Sequence, residues 1–115
     1  MKISEIAAVL NAEVYTVNHD ENADIKSACS ADLMSDVMAF SKENALLLTG
    51  LVNPQVIRTA EMMDMKAVIF VRGKKPQQAM IDLAEEKRIA LLATDYPLFD
   101  ASGKLYERGI RGHGY

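Results

Sequence analysis

A chain of 115 residues, half of them hydrophobic and a quarter charged, has room for one core and excludes two independent domains. A formal charge of −3, with four tyrosines, three phenylalanines and no tryptophan, excludes a general nucleic-acid binder, which would show a basic face or a stacking platform. The single cysteine, Cys29, excludes an internal disulfide and a cysteine-based zinc cage, and no apolar run approaches the ~18 residues that span a bilayer.

Ile3, Ile6, Ala7 and Leu10 repeat at i, i+3, i+4 and i+7, which predicts an opening helix with Ser4 as N-cap and Asn11 as a left-handed stop. Met1, Lys2, Ile3, Ser4 and Glu5 lack the charged-then-apolar pattern of a secretory leader, so a cytoplasmic protein is expected. Residues 13–17 are rich in β-formers and predict a strand; residues 18–22 are polar and predict a loop. Residues 24–29 are expected as a second strand with Ile25 and Cys29 turned inward. The direction of these first two strands stays open. Ser30 or Asp32 is then expected to open a helix carrying Leu33, Met34, Val37, Met38 and Phe40.

The rest of the chain is punctuated by its three prolines, Pro54, Pro76 and Pro97, at intervals of 22 and 21 residues. Each follows an apolar run (residues 45–49, 67–71 and 89–93) and a short polar turn, and proline is favoured where a helix begins. Three tandem strand–helix units follow from this period. Val56, Ile57, Ala60 and Met63 line one helix, and Ala79, Met80, Leu83 and Ala84 the next. The strand runs are continuous rather than alternating, as in parallel strands covered on both faces. The fold class is therefore α/β, a layered fold with a mainly parallel sheet flanked by helices. From Gly103 onward four glycines predict a tail that wraps or frays.

In an open parallel sheet, ligands bind beyond the carboxyl ends of the strands. That edge would hold Thr49, Gly50, Asn53, Arg72, Gly73, Lys74 and Thr94. Glycines admit close backbone approach and the cations add positive charge, which suits a small anionic group. The bland alternative is that the glycines serve turns and the lysines a solvated edge, since no phosphate-loop fingerprint is met. Asp32 and Asp36, four apart on the expected helix, are read as solvated acids favouring its N-terminus rather than a metal pair. His19 and His113 lie in polar or glycine-rich segments without a third ligand, and Cys29 reads as a small buried hydrophobe. Tyr106 and Arg108 read as packing and surface residues. No metal or cofactor is implied. Seven methionines are many for this length, and Met34, Met38, Met62, Met63 and Met65 exceed what one buried face per helix requires, pointing to a subunit interface, with core packing as the alternative.

Three segments, residues 2–7, 31–37 and 45–54, resemble the DRTGG domain family, and the spacing of residues 68–76 and 91–94 fits the same pattern. The resemblance covers residues 1–110 as a single domain, with 111–115 as a glycine-rich tail. Thr49 and Gly50 match the letters of the family name; Leu51 replaces its second glycine, and no aspartate–arginine pair stands beside them. The family includes domains attached to phosphate acetyltransferases and to nucleotide-regulated pyrophosphatases, and its fold resembles the N-terminal domain of HPr kinase/phosphorylase. The resemblance implies frequent dimerisation and a regulatory or accessory role without catalysis by the domain. Free-standing members are associated with redox and hydrogenase systems of anaerobic bacteria. Two readings follow: a homodimeric module sensing a small anionic metabolite or nucleotide, and an interaction subunit of a larger redox or metabolic enzyme system. A small enzyme acting through Asp36 is the third reading, supported only by stray acids.

Overall fold

The computed structural model describes residues 1–40 and 44–112. Its elements run α1 (Ile3–Leu10), β1 (Glu13–Val14), β2 (Ser27–Ser30), α2 (Met34–Met38), β3 (Ala45–Thr49), α3 (Pro54–Met62), β4 (Ala67–Phe70), α4 (Gln78–Lys87), β5 (Ala90–Ala93) and α5 (Leu98–Glu107). The five strands form one sheet in the order β1-β5-β4-β3-β2. β2 to β5 are mutually parallel, and β1 lies antiparallel on β5, so the sheet is mixed.

Successive side chains of a strand point to opposite faces. Leu46 and Leu48, Ala67 and Ile69, Ala90 and Leu92 face a cluster built from Ile3, Ile6 and Leu10 of α1 and Ala101 and Leu105 of α5. Ala45 and Leu47, Val68 and Phe70, Leu91 and Ala93 face Val37 of α2, Val56, Ile57 and Ala60 of α3, and Met80 and Ala84 of α4. Both faces are dry, which is why these runs read as continuous. Helices α2, α3 and α4 thus cover one face, α1 and α5 the other.

Asn11 ends α1 at φ 48°, as its type predicts, but Ser4 is not the cap. The cap is Lys2, two residues earlier, whose N–H donates to Glu5 Oε1 at 3.0 Å. The first strand is shorter than expected. β1 stops at Val14 because the Thr16 hydroxyl, and no longer a backbone carbonyl, accepts the Leu91 N–H at 3.1 Å. Ile25 is fully buried as expected, whereas Cys29 is half-buried, with burial first and the Asp36 charge second raising its thiol pKa. Only Pro54 sits in the first turn of its helix; Pro97 is the residue before α5, and Pro76 lies two residues before α4.

Four further expectations are corrected. α2 begins at Met34, so Asp32 is outside it, Asp32 and Asp36 do not share a helix, and Phe40 lies beyond its end. Ala79 is exposed, because Met80 and Ala84 set the inward line of α4, with Ile81 and Leu83 half-buried against the same cluster. Gly103 belongs to α5, where burial of Ala101 and Leu105 outweighs the helix cost of one exposed glycine. Tyr106 is exposed, with the Arg111 guanidinium 4.0 Å above its ring. Of the tail, Arg111 bridges to Ser27 beside β2, and residues 113–115, with His113, lie outside the described residues.

Candidate functional site

The carboxyl ends of β2, β3, β4 and β5 share one edge, and the loops leaving them bring the predicted ligand residues into one neighbourhood. Thr49 ends β3 fully buried, and Gly50 follows. The carboxylate that sits against them comes from Asp32, in the loop between β2 and α2. Its Oδ1 accepts the Gly50 N–H at 2.7 Å and the Thr49 hydroxyl at 3.1 Å. From the next loop the Lys74 ammonium donates to the Gly50 carbonyl at 2.8 Å. A Cβ on Gly50 would stand 3.5 Å and 3.6 Å from the two Asp32 oxygens and 3.6 Å from Lys74 Nζ, ordinary contact distances that place carboxylate and ammonium on either side of the same backbone. Thr49, Gly50 and Lys74 are therefore one constellation, and Asp32 is its centre.

The remaining four residues are placed differently. Asn53 is the N-cap of α3, its Oδ1 accepting the Gln55 N–H at 2.9 Å. Thr94 is buried, donates to the Leu10 carbonyl at 2.7 Å and accepts the Tyr96 N–H at 3.3 Å. Arg72 and Gly73 form a left-handed pair, φ 61° and 71°, at the end of β4. Here α4 leaves β4 towards one face and α5 leaves β5 towards the other, the divergence at which open sheets hold ligands. In this chain the two loops are tied together: the Arg72 N–H donates to the Tyr96 carbonyl at 2.9 Å and the Gly73 N–H to the Thr94 carbonyl at 3.0 Å. The cavity left beside them, lined by Glu13, Lys75 and Asp95 among others, is about 90 Å³. That holds about three waters at ~30 Å³ each.

Sequence reasoning missed Asp32, which reads locally as a helix-start acid. Its only signal was an aspartate two residues beyond one parallel strand, level in register with the Thr49-Gly50 end of the next. The methionines divide. Met65 is core; Met34 and Met63 are half-buried on the α2–α4 side; Met38 and Met62 are 49% and 61% exposed on neighbouring helices, and Leu33, before α2, is 60% exposed.

A family model described as the DRTGG domain matches residues 5–107. Among solved structures the chain is similar to the CBS and DRTGG domains of the regulatory region of Clostridium perfringens pyrophosphatase, complexed with its activator, diadenosine tetraphosphate. The TM-score is 0.76 at 20% identity over 90% of this chain and 45% of that one, a likeness of fold, and the chain spans under half of that neighbour. No protein of curated function matches.

Proposed function

Since the chain belongs to the DRTGG domain family, we propose that it is a non-catalytic regulatory or accessory module, homodimeric, that senses a small anionic metabolite or nucleotide at the carboxyl edge of its sheet. The observation that carries this reading is the seat of Asp32. An oxyanion already rests on the Gly50 amide and the Thr49 hydroxyl, beside the Lys74 ammonium, so the donors a phosphate or carboxylate needs are in place. A ligand takes them by displacing Asp32, and Asp32 stands at the entrance to α2. Binding is thereby coupled to Leu33, which precedes that helix, and to the helix that presents Met38. The complex of the pyrophosphatase regulatory region with a dinucleotide polyphosphate supports the ligand class. The exposed Leu33, Met38 and Met62 support a second copy as the partner of the α2–α3 face. The same face supports the second reading, an interaction subunit of a larger redox or metabolic enzyme.

The test is titration of the purified chain with pyrophosphate and with diadenosine tetraphosphate, read by calorimetry and native mass spectrometry. Asp32→Asn removes the competing charge and is expected to tighten binding about tenfold; Lys74→Ala is expected to weaken it about tenfold, the scale of one charge-assisted hydrogen bond. A dimer mass that Met38→Asp halves supports the homodimer. Absence of binding in both the wild type and Asp32→Asn would sink the sensing reading and leave the interaction subunit.

A further inference from the structure

At the amino end of the sheet, away from the carboxyl edge, a cavity of about 580 Å³ opens between the first turn of α1 and the segment 14–22. This lies within the range of small-molecule sites, roughly 300–1,000 Å³. Its walls are Ile3, Val14 and Val17, and its polar groups are Lys2, Ser4, Thr16, His19, Glu21 and Asn22. None of these residues belongs to the Asp32 constellation.

Both walls are anchored from outside. Glu85 Oε1 accepts the Val17 and Asn18 N–H groups at 2.7 Å and 2.9 Å, and the Asn18 side-chain amide donates to the Glu85 carbonyl at 2.7 Å. On the other side the Met1 ammonium donates to Asp24 Oδ1 and to the Ile25 carbonyl, both at 2.8 Å, which fixes the chain at Lys2. The result is a loop held rigidly with Val17 82% and Val14 39% exposed. Nothing in the packing of the described residues uses the Val17 side chain. A fixed apolar wall beside a preformed cavity lowers the ordering cost of a ligand.

The lining also limits what fits. Thr16 Oγ1 accepts the Leu91 N–H and lies 3.4 Å from His19 Nδ1, a contact that holds the ring against the strand end. Ser4, His19 and Asn22 can each both donate and accept. Apolar walls with donors and acceptors at the rim match a planar heteroaromatic ring. Lys2 and Glu21 cancel in formal charge, which disfavours a polyanion. We propose that this cavity is a second small-molecule site, for a nucleobase or nucleoside bearing at most one negative charge.

The experiment is a ¹H–¹⁵N NMR titration of the full chain with adenosine, guanosine, cytidine and uridine to millimolar concentrations. Expected are saturable shifts in the amides of residues 3–4 and 14–22 for at least one nucleoside. Val17→Asp, at an exposed position that folding does not need, weakens that binding by about tenfold or more. Read at these same amides, the matching triphosphate binds no tighter than the nucleoside, and Asp32→Asn and Lys74→Ala leave the nucleoside affinity unchanged, which separates this site from the anion site. The proposal is overturned if no nucleoside gives a saturable shift, if the shifts map to residues 49–50 and 72–74, if Val17→Asp binds as the wild type does, or if the triphosphate, read at the amides of residues 3–4 and 14–22, binds about tenfold tighter.

Discussion

At the carboxyl end of the sheet the loop amides are bound to the protein itself, Gly50 to Asp32, Gly73 to Thr94 and Arg72 to Tyr96. At the amino end the loop amides of Val17 and Asn18 are pinned from behind by Glu85, and the side chains in front of them line an open cavity. The first end has the chemistry of a binding site and an internal occupant; the second has the space of one and, among the described residues, no side chain that fills it. Readiness to bind therefore has two components that this fold keeps apart. A ligand at the carboxyl end must outcompete a carboxylate, while a ligand at the amino end needs only to displace water.

The largest effect that separates the ends is expected at Thr94. If its hydroxyl serves the architecture of the closed end, Thr94→Val leaves the Leu10 carbonyl and the Tyr96 N–H without their partner in a buried setting. The cost is about 2 kcal/mol, or roughly 8 °C of melting temperature in a domain of this size. Calorimetric melting checks it. Pyrophosphate affinity should stay within about twofold of wild type; a loss of binding without a loss of stability would make Thr94 a ligand residue and reopen the closed end.

Glu85→Ala is the matching cut at the open end. It removes the acceptor of two loop amides, and because these groups are solvent-exposed the expected loss is about 1 kcal/mol. Hydrogen exchange gives the sharper readout. Val17 and Asn18 should lose protection while the amides of Leu46–Leu48 keep theirs. Equal loss at both would mean that Glu85 supports the whole domain and that the cavity wall is not a separately anchored unit.

The elements that hold these ends in place were legible because their causes are local. Continuous apolar runs gave β3 to β5, Pro54 gave the start of α3, and a lone asparagine gave the stop of α1. The contacts that decide what the ends can bind are not local. Asp32 meets a residue 18 positions away, Glu85 meets residues 67 and 68 away, and Thr94 meets one 84 away. An aspartate before a short helix has the same local signature whether it caps that helix or reaches across to the next strand. Thr49, Gly50 and Lys74 could be assigned to one edge from the parallel-sheet rule, yet their occupant could not. The amino-end cavity left no sequence signal, since Val14 and Val17 read as strand residues that a sheet would bury.

The smallest expected effect concerns the other anchor of the open end. The Asp24 carboxyl is held below its ordinary 3.8, first by its hydrogen bond from the Met1 ammonium and then by that ammonium's charge. A carboxyl whose pKa is lowered on folding binds its proton more readily in the unfolded chain. Its stabilisation is therefore complete above the unfolded value and fades as pH falls through the folded one. The group is solvent-exposed, so the change in global stability is slight, and the local consequence is the informative one. Below pH ~3.8 the Met1 anchor weakens, and Lys2 at the rim of the cavity should gain mobility before the core responds. NMR order parameters or exchange rates at Lys2 and Ile3 across this acid range report it. Asp24→Asn should show the acid behaviour already at neutral pH and lose the pH dependence. If Lys2 loosens only together with the amides of β3 to β5, Met1 and Asp24 do not anchor the cavity on their own, and the contrast between the two ends rests on Glu85 alone.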